Sequence, residues 1–466
     1  MHLRRTPGLA LVVVALAPML LVAAPGTASA ALAEPGSVSS AKAQAGEKTG
    51  QLTVTWRASG AHTDEFRVET ALTPFGGSGP ERGRDARVFT APADARSLTL
   101  SVAKVRAAGA APATGHHLYV RVTAVNTSRS GERTGTASPL VAAMPEPPAP
   151  AGFGTPLRLA SFNVRSAYFS PGDARSWLQR APDVAREIVR SKAGVVALQE
   201  ASPGRADGVP GAAGAGVQRQ TESLAAALVA AGGPQYRLVR HTPYVRPGTA
   251  HGSQDARIAY DTSRYALVSV CPDTTGTEQW SGACSIELPI LPTDAELWRR
   301  SAAYAQFSDL ATGQRFLVVS VHLDRRHSAD PLLEQSYNDL RLLQAATVDS
   351  AVSILRGAGE PVVVAGDFNS SQTDAGGYGP HDYLAALGYY DTVAAQQRVN
   401  LAYPSLNKFA VTLTKHPQGF ARRIDGILIH GVVGAKRFEL VTKRIDPARS
   451  SDHSMVLADV VIPKTG

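Results

Sequence analysis

Six places beyond residue 156 put a chemically capable side chain where an apolar run stops or starts. Leu157–Phe162 ends at Asn163, Val195–Gln199 ends at Glu200, and Leu317–Val321 ends at His322. Val362–Gly366 ends at Asp367, with Asn369 two residues on. Asp425 opens an apolar run, and Asp452-His453 immediately precedes the last one. Carboxylates hold a hard cation on oxygen, imidazoles move protons near neutral pH, and carboxamides donate to anionic oxygens. Each residue also has an ordinary use. An Asn after a strand turns the chain, Gly-Asp-Phe-Asn can form an Asx turn, and a lone Glu can cap or face water. The joint pattern differs, because buried strands seldom end so repeatedly in such groups unless those groups converge on a charge.

The elements that must carry these residues can be read from periodicity. Gly194–Leu198, Phe316–Val321, Pro361–Ala365, Ile424–Ile429 and Met455–Ile462 are short apolar runs of the kind found in buried strands. Helical patterns fall at Pro182–Arg190, Thr221–Ala231 and Pro331–Leu355. The last is introduced by Asp330-Pro331, a cap followed by a first-turn proline, and ends before Gly357. Strands alternating with helices predict an α/β domain over residues 157–466. Residues 201–220, rich in Gly and Ala, read as a loop.

Upstream the pattern changes to period two. Leu52-Thr53-Val54-Thr55-Trp56, Phe66-Arg67-Val68, Leu98–Val102 and Tyr119–Asn126 alternate apolar and polar residues, and a last strand falls near Leu140. This predicts a small all-β sandwich over residues 36–143. With Thr53–Trp56 and the Tyr119–Gly131 run, the region resembles a fibronectin type III module, which implies spacing or binding rather than chemistry. Residues 144–156 contain Met144-Pro145-Glu146-Pro147-Pro148-Ala149-Pro150, a proline density that predicts an extended connector.

Taken in order, Asn163, Gln199-Glu200, His322, Gly366-Asp367-Phe368-Asn369, Arg423-Ile424-Asp425 and Ser451-Asp452-His453 resemble the motifs of the endonuclease/exonuclease/phosphatase superfamily. That superfamily includes deoxyribonuclease I, apurinic endonucleases, inositol polyphosphate 5-phosphatases and neutral sphingomyelinases. The resemblance implies a four-layer α/β sandwich of two packed β-sheets flanked by helices, with the site where strand ends meet. It also implies hydrolysis of an anionic phosphodiester, which requires charge neutralisation at phosphate and an activated water. On that footing Glu200 and Asp452 are metal-site carboxylates for Mg²⁺ (Mn²⁺ or Ca²⁺ being possible substitutes), and Asp425 orients His453. His453 then acts as base or as a charged stabiliser, and Asp367 positions water. Asn163 and Asn369 donate to phosphate, and His322, also a phosphate contact, protonates the leaving oxygen. Arg257 serves either this site or the protein surface.

The address and charge constrain the partner. Arg4 and Arg5, the apolar run Leu9–Ala24 and the small residues to Ala30 have the form of a secretory signal peptide over residues 1–30, with cleavage after Ala30. Removing it lowers the formal charge from +8 to +6, since it holds two arginines and no acid. A basic, exported chain suits an anionic partner such as nucleic acid, without stable membrane insertion. The two cysteines, Cys271 and Cys284, are expected to form one local disulfide contributing about 3 kcal/mol in the chain-entropy model. The expected function is therefore a secreted metal-dependent nuclease on DNA or RNA. Its alternatives are a phosphatase or phospholipase C-type enzyme on inositol phosphate or sphingomyelin, and a catalytically inactive binding protein. The Cys-Asp-Arg run of the inositol phosphatases is absent. Trp280 and Trp298 are scattered rather than gathered in a membrane-contacting hairpin.

Overall fold

The structure is a computed structural model. It describes residues 32–45, 51–59, 61–71, 86–101, 118–128, 131–138, 141–143, 154–201, 204–209, 216–239, 256–271, 284–295, 298–371, 379–395, 397–416, 421–431, 434–444 and 448–463. The expected signal peptide, most of the Pro-rich connector and Trp280 lie outside the described residues.

Among the described residues, eight strands precede Gly154: β1 (Val38–Ala45), β2 (Gln51–Ala58), β3 (Glu65–Ala71), β4 (Arg87–Pro92), β5 (Ser97–Ser101), β6 (Leu118–Ser128), β7 (Gly131–Thr134) and β8 (Val141–Ala143). They form a three-stranded sheet, β1-β2-β5, and a five-stranded one built on β4-β3-β6-β7 with β8 beside β6. Alternation buries Leu52, Val54 and Trp56 of β2 against Phe66, Val68 and Val122 of the other sheet. Each such fully buried apolar side chain contributes about 1.5–3 kcal/mol.

From Gly154 the chain is mixed α/β. Its first part runs through β9 (Gly154–Asn163), α1 (Trp177–Ser191), β10 (Val195–Gln199), α2 (Gln220–Ala230), β11 (Tyr236–Leu238) and β12 (Arg257–Asp261). Next come β13 (Tyr265–Leu267), β14 (Ser285–Leu288), β15 (Arg300–Asp309), β16 (Arg315–His322), α3 (Pro331–Leu355) and β17 (Val362–Asp367). The chain then continues through α4 (Pro380–Ala386), β18 (Tyr390–Asp391), β19 (Gln397–Val399), β20 (Asp425–His430), β21 (Gly434–Leu440) and β22 (Val456–Pro463). One seven-stranded sheet has the order β11-β12-β10-β9-β22-β21-β19. The other has β13-β15-β16-β17-β20-β18, with β14 beside β15.

The inner faces of these sheets pack on each other, Leu159, Ala197 and Ile258 meeting Phe307, Val318 and Ala365. Outside the first sheet, Phe162, Val196 and Leu198 meet Trp177, Val184 and Ile188 of α1 and Leu224 of α2. Outside the second, Leu317, Val319 and Val364 meet Val348 and Val352 of α3 and Leu384 of α4. Ala71 and Tyr119 of the N-terminal sheets join the inter-sheet cluster near Phe438, and the Arg398 guanidinium donates to the Ala43 carbonyl at 3.2 Å.

α3 runs over Pro331–Leu355, with the Asp330 carboxylate accepting from the Leu332 amide at 2.9 Å. α1 begins five residues before the expected Pro182. Trp177 and Ala181 bury against the sheet, and Gln179 Oε1 accepts from the Ser176 amide at the cap. Pro182 thus sits inside the helix rather than opening it, because burial of that apolar face outweighs the proline preference for the first turn. β9 likewise starts three residues before Leu157, since β22 pairs with Gly154–Pro156. β15, one of the longest strands, carried no apolar run to mark it: Arg300–Asp309 is built of Ala, Ser and Gln as much as of large apolar residues.

Candidate functional site at the strand ends

Strand direction explains where each polar residue falls. β9 and β10 are parallel, with Asn163 opposite Gln199, so both chains leave the sheet on one edge and Glu200 follows there. β16 and β17 are also parallel, with His322 opposite Asp367. β20 runs antiparallel to β17, so Asp425 stands at its start, opposite Asp367. β22 runs antiparallel to β9, so Asp452-His453 precede it at the same edge. One geometric rule therefore places the residues at the ends of some strands and the beginnings of others.

The two sheets are tied beneath this edge. Gln199 Nε2 donates to Ser320 Oγ at 3.1 Å, and Ser320 Oγ donates to the Leu198 carbonyl at 3.0 Å. Gly366 lets β17 approach β16 closely, for a Cβ there would lie 2.0 Å from the Val321 carbonyl oxygen. Three non-glycine residues at the edge adopt left-handed backbone: Arg165 (φ 61°), Glu200 (φ 57°) and Asn369 (φ 48°). Such conformations are uncommon for L side chains and cluster where the surroundings dictate a side-chain aim.

Asn163 is fully buried and joins the sheets: its Nδ2 lies 3.1 Å from Asp367 Oδ2 and 3.3 Å from Glu200 Oε1. The second Glu200 oxygen accepts from the Ser166 amide at 2.8 Å. His453 Nδ1 sits 2.9 Å from Asp425 Oδ2, while its Nε2 is 3.9 Å from Asp367 Oδ2. His322 Nε2 approaches the same Asp367 oxygen at 3.6 Å. Asn369 donates its backbone N–H to Asp367 Oδ1 at 2.9 Å and its side-chain amide to the Leu323 carbonyl at 3.0 Å, so one amide hydrogen expected for phosphate serves the loop instead. Asp452 pairs with Arg165 at 3.3 Å, and its backbone carbonyl accepts from Asn407 and Lys408. Arg257 stands opposite Leu198 and donates to the Ala256 carbonyl.

Electrostatics divide these groups. Burial, followed by the Asp425 charge, pushes the Asp367 carboxyl up to about 7 against the pull of His453. Burial opposes charging His453, but the charge and hydrogen bond of Asp425, with Asp367 and Asp452 behind, outweigh it and raise the imidazole to about 10. Ligand atoms of Asp367, Asp425 and His453 lie within 4.8 Å of one another. The expected metal pair falls outside that group: Glu200 connects to it through Asn163, and Asp452 is held by Arg165. A cation fits the donor set, because Asp367 is a buried carboxylate with a second carboxylate and two imidazoles close by and no Lys or Arg paired to it among the described residues. A hard divalent ion favours such oxygen donors.

Several contributors escaped the sequence. The Arg180 side chain is wholly buried and donates to the carbonyls of Val164, Ser450 and Arg165, clamping the Asn163 and Asp452 loops together. Burial lowers it to about 10, offset in part by Asp173, Asp452 and Glu200. Ser405 Oγ accepts from the Ile424 and Asp425 amides, and Ser451 Oγ donates to the Asn163 carbonyl at 2.6 Å. An arginine inside an apolar helix face was the one local signal for Arg180; the serines offered none. Cys271 and Cys284 form the expected disulfide, with Cα atoms 5.5 Å apart.

A family model described as "Endonuclease/Exonuclease/phosphatase family" matches residues 160–453. Among solved structures, a protein of that description from Bacteroides thetaiotaomicron is 21% identical over 67% of this chain and 100% of its own, with TM-score 0.47. The human Nocturnin catalytic domain with bound sulfate is 16% identical, covering 66% of this chain and 94% of its own at TM-score 0.42. Sphingomyelinase C from Streptomyces griseocarneus is 18% identical, covering 66% and 99% at TM-score 0.41. None of the curated proteins matches the chain.

Proposed function

The chain belongs to the endonuclease/exonuclease/phosphatase family, and from that premise we propose a secreted, divalent-metal-dependent phosphodiesterase that cleaves nucleic acid. The observation that carries the reading is the meeting of Asn163, Glu200, Asp367, Asp425 and His453 from both sheets: Asn163 hydrogen-bonds to Glu200 and Asp367, His453 to Asp425, and His453 Nε2 lies 3.9 Å from Asp367. Glu200, with Asp367 and Asp452 as neighbouring carboxylates, would hold Mg²⁺; the ion supplies a Lewis acid for the phosphoryl oxygens.

The protein's own groups divide the remaining work. Asp367, raised to about 7, has the affinity of a base suited to taking a proton from water near neutral pH. Asn163 Nδ2 and the Asn369 amide fix the two Asp367 oxygens. His453 is an imidazolium below about pH 10, so it stabilises negative charge building on the phosphate rather than accepting a proton. Asp425 holds its orientation. His322, within reach of Asp367, protonates the departing oxygen.

The remaining parts suit an exported enzyme. The disulfide belongs to an oxidising compartment, consistent with cleavage after Ala30. Among the described residues no helix is long and apolar enough to cross a membrane. The N-terminal strands are read as a fibronectin type III-like spacer. Plasmid DNA, RNA, sphingomyelin and inositol phosphate, each assayed with Mg²⁺ and with EDTA, test the proposal. Mg²⁺-dependent cleavage of a polynucleotide is expected, and turnover of the lipid or the inositol phosphate alone overturns the substrate.

A further inference from the structure

Beside the site, aromatic rings and guanidinium groups alternate along a strip that the hydrolytic chemistry does not use. Arg165, already paired with Asp452, lies over Phe169 with its guanidinium carbon 4.3 Å from the ring centre. Tyr168 meets Phe169 edge-on at 5.3 Å and is 36% exposed. Across the edge, in the loop after β16, Arg325 bridges Phe169 at 6.0 Å and Trp298 at 5.8 Å. Arg326 continues the row, 4.6 Å from Trp298 and 4.8 Å from Tyr337.

The two neighbouring arginines differ. Arg326 is neutralised by Asp294 and Asp324, both within 2.7 Å, whereas Arg325 is exposed and no carboxylate pairs with it among the described residues. Arg325 also acts electrostatically on buried Arg300, which in turn feels Glu200 and Asp367, so the free cation belongs to the same charged region as the site. An unpaired guanidinium beside ring faces matches a ligand that repeats anionic phosphate and flat base. Lipid contact would call for apolar side chains projecting into solvent, and Phe169 and Trp298 are instead half-buried under arginine.

We infer that Tyr168, Phe169, Arg325 and Trp298 form a subsite for the nucleotides flanking the scissile phosphate, and that it selects single-stranded over duplex nucleic acid. A duplex hides its base faces by stacking, while a single strand offers them to the rings. The inference rests on the proposed nuclease activity for its substrate but is read by binding, without turnover. Fluorescence anisotropy of a labelled single-stranded 12-mer and of the same strand annealed, in EDTA at two salt concentrations, provides the test.

The single strand is expected to bind about tenfold more tightly than the duplex. Arg325→Ala should weaken binding about tenfold and reduce the magnitude of the salt slope by about one, with Arg325→Lys restoring the slope. Trp298→Ala should weaken binding about tenfold with the slope unchanged, and Trp298→Phe should retain most of the affinity. Equal or tighter duplex binding, indifference to Arg325→Ala and Trp298→Ala, or binding to sphingomyelin vesicles in place of the oligonucleotide would overturn the subsite. Loss of hydrolysis with Arg325-dependent single-strand binding intact would sink the nuclease reading and leave the subsite standing.

Discussion

The N-terminal strands and the strand-end site treat charge in opposite ways. Before Gly154, the buried polar side chains among the described residues are hydroxyls, Thr70, Thr123 and Ser138. Charges there stay partly exposed and matched: Arg67 with Glu65 and Glu132, Arg121 with Glu69. At the strand ends Glu200, Asp367, Asp425 and His453 are all buried, and Asp367 lacks a close guanidinium. Burying charge is costly, so a fold tolerates the second pattern only where some group compensates it. One region leaves its charges paired and partly exposed, and the other buries carboxylates and an imidazole side by side.

The largest effects should separate the regions by activity. Glu200→Ala and His453→Ala are expected to lower kcat about 10³-fold or more, with thermal unfolding nearly unchanged. Arg67→Ala should leave kcat as it is. Steady-state kinetics on the polynucleotide that the panel identifies would measure this, and full activity of either site variant would break the contrast.

A smaller effect lies in stability against pH. Folding raises Asp367 from 3.8 to about 7 and His453 from 6.5 to about 10, so the folded state binds both protons more tightly. Their contribution is present below the ordinary values and is lost as pH rises, between about 4 and 7 for Asp367 and between about 6.5 and 10 for His453. In EDTA the melting temperature should therefore fall by several degrees from pH 5 to pH 9. Asp367→Asn should flatten the acid half of that fall. Mg²⁺ should stabilise more at pH 8 than at pH 5, and differential scanning fluorimetry showing the reverse would remove the cation from the site.

The smallest effect belongs to the matched pairs. A double-mutant cycle on Arg67 and Glu132 should give a coupling of no more than about 1 kcal/mol, shrinking in high salt. Urea unfolding can measure it. A coupling of several kcal/mol would mean that charge in the N-terminal strands is not handled as the geometry shows.

Much of the site was legible in the chain because strands are local. An apolar run ending in Glu200 or His322 announces both a strand and its terminus, and α3 announced itself through Asp330-Pro331. What escaped was set by partners far away in sequence. β15 is a strand because β16 pairs with it, and α1 starts at Trp177 because that ring has an apolar sheet face to bury against. Arg180 looked like any helix cation, yet it clamps Val164 and Ser450.

By itself, then, the amino-acid order determined which residue types stand at each strand terminus, and with them the kind of chemistry available. Alternation and run length are properties of neighbouring residues. Only the packed sheets decided that Asn163 would reach Asp367, that His453 would turn its Nδ1 to Asp425, and that Asp367 would be buried beside the Asp425 charge. Those outcomes depend on distance and desolvation between groups 28 to 204 residues apart. Neither quantity exists until the two sheets close on each other.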